Sequence, residues 1–382
     1  MTRILITGGR GFLGRNLAAH LEQRHDCEVE IVGRENIAQA LPAATRSDVI
    51  FHLAGVNRPQ NAEEFESGNV SLTRELCELL LQAGRSPRII FSSSIQASLA
   101  NPYGESKAQA EAVLRQYAAA SGAAVRIYRL GNIFGKWCRP HYNSVTATFC
   151  YNIAHDLPIQ VNDPARQLEL SYVDDVVKAF TLEIEQTGDS NSPLRSIPTY
   201  RIQLGDLAGR IQAFHDMRTT LALPDFADSF NRALYATYLS HVPDDCRLNQ
   251  LAIRADSRGS LAEFLKQPHL GQVFVSRTNP GITRGNHYHH TKTEKFFVVQ
   301  GTGLIRMRGV SDREIAEYLV SGHEYKVIDI PPGFTHSITN VGPDEMVTLF
   351  WSSEVFDPDH PDTYFLPVDV QTEAREVTAE KA

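Results

Sequence analysis

Cysteine is scarce and scattered in this chain. Its 382 residues include five, Cys27, Cys77, Cys138, Cys150 and Cys246, with no CxxC pair, which excludes a secreted disulfide scaffold and a thiolate zinc or redox motif. No apolar run reaches the ~18 residues a membrane helix needs. The opening MTRILITGGRG lacks the charged, apolar and cleavage regions of a secretory signal. Basic charge is also in deficit: 37 Lys and Arg against 45 Asp and Glu give a formal net charge of −8, so nucleic acid and anionic lipid are not expected partners. The 25 Gly and 19 Pro are dispersed rather than periodic and 42% of residues are hydrophobic, which removes collagen-like, low-complexity and disordered classes. The expectation is a soluble cytoplasmic protein of two domains.

Up to about Tyr200, short β-branched runs alternate with longer helical stretches, the pattern of a doubly wound parallel sheet of the α/β Rossmann type. ILIT, EVEIV, DVIFHL and RIIFSS read as its strands. AVRIYRL, from Ala124, reads as a fifth, after a strongly helical segment from Tyr103 to Ser121. A last helix is expected from Phe226 to Leu239. From Leu248 onward, strands and Gly or Pro turns replace helices, as in an all-β jelly-roll barrel. The expected division is 1–243 for the first domain, with its boundary near Val242 and Pro243, 244–370 for the second, and a polar tail over 371–382.

TGGRGFLG, Thr7 to Gly14, lies between the first strand and a helix beginning near Phe12. Its Gly8, Gly11 and Gly14 remove side chains where a pyrophosphate must approach backbone N–H groups at a helix N-terminus. Arg10, Phe12 and Leu13 fall in the same loop. An acidic residue usually ends the second strand of an NAD site, but EVEIVG here leads to Arg34, and a guanidinium there suits the 2′-phosphate of NADPH. Tyr103 and Lys107 are four residues apart, on one face of a helix start. A Lys beside a phenol lowers its pKa, and a Ser hydroxyl can hold the reacting oxygen. Ser92, Ser93 and Ser94 end the fourth strand, and the residues leave the choice among them open.

These pieces, with DVIFHLAG, YGESK, RLGNIFG and YVDD, resemble the extended short-chain dehydrogenase/reductase family, many of whose members act on nucleotide sugars. The resemblance implies Ser94, Tyr103 and Lys107 as the catalytic triad, with Tyr103 and Lys107 also touching the cofactor. It further implies Leu53 and Ala54 at the cofactor and Asn132 at the substrate. Ile95 and Gln96 stand where sugar dehydratases carry an Asp-Glu pair, and neither exchanges protons at neutral pH. Carbonyl reduction or alcohol oxidation remains.

In the later half, His287 and His289 are two apart on a strand and so share a face. Glu294 follows, and PPGFTHSITN supplies His336. Three imidazoles and a carboxylate suit a divalent metal, with zinc the expected ion and manganese, iron and nickel also compatible. This set resembles the cupin family. TRGNHY also resembles a metal-free branch, the nucleotide-sugar 3,5-epimerases, in which the motif His is a base. His287 is therefore a candidate ligand or base, and Arg284 and Lys295 are candidates to hold a 4-keto sugar.

Epimerising a carbon beside a carbonyl needs that carbonyl to stabilise the enolate, and reducing it then fixes the new centre. Over about residues 1–370 the chain resembles a family of bacterial capsule and O-antigen enzymes that fuse this reductase to this cupin. That resemblance implies a homodimer. It also implies C3 epimerisation of a UDP-2-acetamido-2,6-dideoxy-4-hexulose in the cupin and NADPH-dependent C4 reduction to the L-talose product, on the route to UDP-N-acetyl-L-fucosamine. The alternatives are a monofunctional 4-ketoreductase with a structural, dimerising cupin, and an NADPH-binding redox sensor without turnover.

Overall fold

The computed structural model describes residues 1–33, 40–61, 63–185, 190 and 192–369. Arg34 and the 371–382 tail lie outside the described residues. The chain forms two compact units, one of residues 1–212 and 232–243, the other beginning with 213–231 and continuing from 244.

In the first unit, strands β1 (Thr2–Thr7), β2 (Cys27–Val32), β3 (Val49–His52), β4 (Arg88–Ser94) and β5 (Val125–Leu130) pair in parallel in the order β2-β1-β3-β4-β5. These are the five strands legible in the sequence. Period-two alternation sends Leu5, Ile50, Ile89 and Phe91 into one core, and Ile4, Ile6, Phe51 and Ile90 into the other. A sheet covered on both faces in this way keeps its strands uniformly apolar. The helices around this sheet include α1 (Phe12–Leu21), α2 (Ala40–Ala44), α3 (Glu63–Phe65), α4 (Leu72–Gln82) and α5 (Pro102–Ser121), with a π-turn at Glu66–Ser71 leading into α4. α5 starts where Asn101 Oδ1 accepts the Gly104 amide at 2.9 Å and Pro102 occupies the first turn, and it stops at Gly122, with φ +70°. A small sheet of β6 (Asn132–Phe134), β7 (Gln167–Tyr172) and β8 (Tyr200–Gln203) was not anticipated, because these runs are short and mixed in polarity.

Among its described residues the second unit is β-rich, with helix confined to 213–231, which include the start of the helix Ser229–Leu239 expected from Phe226, and to a 3-10 turn at Asp244–Cys246. One antiparallel sheet contains β9 (Ile253–Asp256), β10 (Gly259–Gln267), β11 (Gly271–Thr278), β13 (Glu294–Gln300), β16 (Val327–Ile330) and β18 (Met346–Ser352). The other contains β12 (Thr283–Tyr288), β14 (Thr302–Gly309), β15 (Ala316–Ser321), β17 (Phe334–Asn340) and β19 (Tyr364–Phe365). Phe296, Val298, Phe350, Ile305, Met307 and Ile338 from the two sheets fill the core between them. This is the all-β, cupin-like fold expected.

A single cut at Pro243 does not separate these units. Lys266 on β10 donates its amide to Leu221 O and accepts the Leu223 amide, both at 2.7 Å, so residues 221–223 edge the second unit's sheet. Among the described residues no helix is long and apolar enough to cross a membrane.

Candidate functional site

The glycine loop is built by close approach. A Cβ on Gly8, which has φ +69°, would lie 2.7 Å from the Ala54 amide nitrogen and 2.8 Å from the Leu53 carbonyl carbon; one on Gly14 would lie 2.3 Å from Gly8 O. Only glycine fits there, and the Leu53–Ala54 backbone is thereby held against the loop. Gly11 caps α1 with extended backbone, so the amides that follow, from Phe12 and Leu13, open the helix. Arg10 is exposed on the loop. This cradle, with a helix N-terminus behind it, fits the pyrophosphate of a dinucleotide.

At the carboxyl end of β4 the three serines take three different roles. Ser93 donates to the fully buried Glu111 carboxylate at 2.5 Å. The Ser92 carbonyl accepts from Lys107 Nζ at 3.0 Å. Ser94 Oγ accepts the Gln96 amide at 3.1 Å, and it is the serine whose hydroxyl acts on the Tyr103 phenol. Tyr103, Lys107 and Glu111 recur every fourth residue along one face of α5. Glu111 also accepts from Arg129 at 2.7 and 2.8 Å and from Arg115 at 2.7 Å.

The pKa of Tyr103 differs from expectation. Burial raises it, and the opposing influence comes from Ser94 rather than Lys107. Lys107 is itself 5% exposed, lies 4.9 Å from the centre of the Phe91 ring, and is pushed down to about 8 by burial, which Glu111 only partly opposes. In the free protein the ammonium is thus spent on the Ser92 carbonyl.

Asn69 was not singled out in the sequence. It sits in the π-turn, where its side chain bridges the Val56 amide and carbonyl at 2.8 and 2.9 Å and the Ser106 hydroxyl at 2.9 Å. A Cβ on Gly55 would meet Asn69 Oδ1 at 2.9 Å and Lys107 Nζ at 3.2 Å. The segment leaving β3 is therefore pinned beside Lys107. The extra residue of a π-turn is the one local signal for such a position, and sequence periodicity does not show it. Asn132 is exposed on β6, with only a 3.5 Å contact to Glu169 O.

In the second unit, His287, His289, Glu294 and His336 come together, with one donor atom from each all within 4.8 Å of one another. His287 and His336 are cross-strand partners on β12 and β17, whereas Glu294 comes from β13 in the facing sheet. His289 Nε2, Glu294 Oε2 and His336 Nε2 are buried without hydrogen-bond partners, although Glu294 Oε2 lies only 3.3 and 3.1 Å from the two imidazoles. Orphaned donors converging in this way fit a divalent cation. Burial pushes Glu294 up, but the His289 and His336 rings bring it down to about 2. Burial, aided by His336, holds His287 near 4, so its ring is neutral and able to ligate.

Asp362 is a further residue the sequence did not reveal. Its carbonyl accepts from His289 Nδ1 at 2.5 Å, which leaves Nε2 facing the cluster. Its carboxylate accepts the amides of His290, Thr291 and Lys292 at 2.9 to 3.0 Å and the Thr291 hydroxyl at 3.0 Å. Burial opposes the resulting shift, yet these donors hold the carboxyl well below its ordinary range.

Arg284 shares a face with its cross-strand partner Ile338, toward the barrel interior, and donates to Thr278 Oγ1 at 3.1 Å. Lys295 does not join the cluster. It follows Glu294 directly on β13, so it points to the opposite face, where it is half exposed and ion-pairs with Asp329.

These two constellations define a nicotinamide-dependent Rossmann enzyme joined to an all-β domain with a candidate metal centre. The chain belongs to the NAD dependent epimerase/dehydratase family, whose model matches residues 4–194, and residues 254–364 match the polysaccharide biosynthesis C-terminal domain. It is 44% identical, over 95% of its length and 98% of the relative's, to a UDP-2-acetamido-2,6-beta-L-arabino-hexul-4-ose reductase of Pseudomonas aeruginosa. A crystal structure of the capsular polysaccharide assembling protein CapF from Staphylococcus aureus is 48% identical, with a TM-score of 0.89 over 95% of this chain and 99% of that one. At 17% identity and a TM-score of 0.50, over 55% of this chain and 83% of that one, the NAD complex of a Bacillus cereus UDP-glucuronic acid 4-epimerase shares the fold alone.

Proposed function

We propose that the chain is a bifunctional nucleotide-sugar enzyme. In this reading the all-β domain inverts C3 of a UDP-2-acetamido-2,6-dideoxy-4-hexulose, and the Rossmann domain reduces C4 to UDP-2-acetamido-2,6-dideoxy-L-talose, on the route to UDP-N-acetyl-L-fucosamine for capsule or O-antigen. The protein works as a cytoplasmic homodimer. The single observation that carries the reading is that both constellations are intact in a chain 44% identical, over nearly its whole length, to a hexul-4-ose reductase.

NADPH, when bound, supplies the hydride to C4. Ser94 orients the C4 carbonyl through its hydroxyl. Tyr103, kept protonated by burial, donates its proton to the C4 oxygen as negative charge develops there. Lys107 supplies positive charge behind the phenol and holds the cofactor ribose, exchanging the Ser92 carbonyl for these partners. Gly8, Gly11 and Gly14 carry the pyrophosphate, and Arg10 and Arg34 favour a 2′-phosphate.

In the other domain His287, His289, Glu294 and His336 would hold a divalent metal, preferably zinc, which would supply Lewis acidity for the C3 inversion. Asp362 keeps His289 in the ligating tautomer. Arg284, on the barrel's inner face, is the residue here that meets substrate.

The test follows NADPH oxidation with the UDP-4-hexulose, and deuterium entry at C3 in D2O, for the native protein, Tyr103→Phe and His336→Ala. Loss of oxidation in the first variant and of C3 exchange in the second is expected. Absence of C3 exchange in the native protein, with oxidation intact, would reduce the enzyme to a monofunctional ketoreductase. No oxidation at all would remove the substrate assignment.

A further inference from the structure

Among the described residues, two arginines on loops that leave β3 of the parallel sheet and β6 of the small sheet have no acidic partner. Arg58 lies in the segment leaving β3 and Arg139 in the loop leaving β6, and both are exposed. Their guanidinium carbons sit 5.2 and 5.3 Å from the centre of the Tyr142 ring. Among the described residues neither forms an ion pair. Many other arginines of this acidic chain do, for example Arg24, Arg115 and Arg201.

The two loops are fastened together and to the catalytic residues. The Tyr142 hydroxyl donates to Asn57 Oδ1 at 2.6 Å. Three residues before Arg58, Gly55 packs against Lys107 Nζ. On the other side, Arg15 of α1 stacks over Trp137 at 4.4 Å, and Asn16 Nδ2 donates to Lys136 O at 3.2 Å. The loop holds Trp137 at φ +67° and His141 at φ +54°, left-handed conformations that cost non-glycine residues energy and that the surrounding contacts must maintain. A strained, doubly anchored loop and the segment leaving β3, which packs on Lys107 through Gly55, thus each present one guanidinium group to the shared Tyr142 ring.

We propose that Arg58 and Arg139, spaced by Tyr142, clamp the diphosphate of the nucleotide-sugar substrate. This deepens the nucleotide-sugar reading and rests on it. Guanidinium groups match phosphate oxygens in paired hydrogen bonds, and contact with one ring keeps two of them near each other before the ligand arrives. A free sugar offers such a pair hydroxyl acceptors but no negative charge. The clamp therefore selects for the nucleotide diphosphate handle and leaves the hexose free to reach Ser94 and Tyr103.

The experiment titrates UDP, uridine and NADPH separately into the full-length native protein, Arg58→Ala, Arg139→Ala and the double variant, by calorimetry. Each single variant is expected to bind UDP about tenfold or more weakly, as fits loss of a charge-assisted hydrogen bond. NADPH affinity and melting temperature stay unchanged, and the preference for UDP over uridine collapses in the double variant. UDP affinity within twofold of native in the variants, while the native protein binds UDP well, overturns the clamp and leaves the nucleotide-sugar reading standing. Equal weakening of UDP and NADPH with a lowered melting temperature also overturns it, by making the arginines structural. A native protein that binds NADPH but not UDP removes the nucleotide-sugar reading, and the clamp with it.

Discussion

Ser93 and Glu111 are joined by a 2.5 Å hydrogen bond inside the first unit, which turns the middle of three consecutive serines away from Tyr103. Its neighbour Ser94 is the serine that opposes the upward pull of burial on the Tyr103 phenol. Ser94→Ala is therefore expected to lower kcat by two to four orders of magnitude, roughly the scale of a general-acid contribution, while NADPH still binds. Ser93→Ala keeps kcat within severalfold and loses about 1 kcal/mol of stability, since Glu111 retains its arginines. Steady-state NADPH oxidation and urea melts of both variants check this pair of outcomes.

Lys107 gives the apo protein a distinctive alkaline profile. Its folded pKa is near 8 against an ordinary 10.5. Between those values the unfolded chain holds a proton that the folded chain has released, so stability rises with pH across that window, and the cost of charging the buried amine is fully present below it. Relative to Lys107→Met, the native apo protein should gain roughly 2 kcal/mol between pH 8 and 10.5. Urea denaturation at the two limits reads the difference; parallel behaviour of the two proteins would disprove it.

Gly14→Ala places a methyl 2.3 Å from Gly8 O and 2.5 Å from Gly9 Cα. Both neighbours are backbone and cannot move aside separately. The expected result is a loss of about 1–3 kcal/mol and at least a tenfold rise in the Kd for NADPH, measured by fluorescence titration.

Asp362→Ala removes no ligand atom, yet it releases the turn His290–Lys292 and with it the acceptor of His289 Nδ1. Metal affinity is expected to fall about 10–100-fold. Competition against a chromophoric chelator measures it, and an unchanged affinity would show that the carbonyl stays in place without its carboxylate.

The pairing of residues 221–223 with Lys266 predicts that a fragment beginning at residue 213 is more stable than one beginning at 244. Thermal melts of the two fragments test this. Equal melting temperatures would mean the added strand edge contributes nothing.

What could be read in advance was whatever repeats locally. Short β-branched runs between helical stretches marked the five parallel strands, the TGGRGFLG spacing gave the helix N-terminus at Phe12, and Tyr103 to Lys107 gave a shared helix face. The two-residue alternation that puts His287 and His289 on one face also places Lys295 opposite Glu294, and applying it strictly would have removed Lys295 from the site. Ser93 could not be separated from Ser94 because the deciding partner, Glu111, lies a full helix away. Asn69 and Asp362 were hidden for a similar reason: a π-turn breaks helical periodicity, and a backbone carbonyl acting on His289 leaves no residue-type signature. Tyr103 shows a different limit, since its pKa follows burial, which a motif does not report.

The stretch from Asp362 to Val368 laces across the sheet that carries His287 and His336. Leu366 donates its amide to Asn286 O, Thr335 Oγ1 donates to the Leu366 carbonyl, and Arg308 donates to the carbonyls of Pro367 and Val368. On a ribosome this has a temporal meaning. The three imidazoles and Glu294 emerge first, as a barrel wall without its strap, and His289 is not oriented until residues well beyond His336 have been made. Translation that stops before Asp362 would yield a chain with every ligand and an unfinished centre. Ion loading would then report completed synthesis of this domain rather than synthesis of its ligands alone.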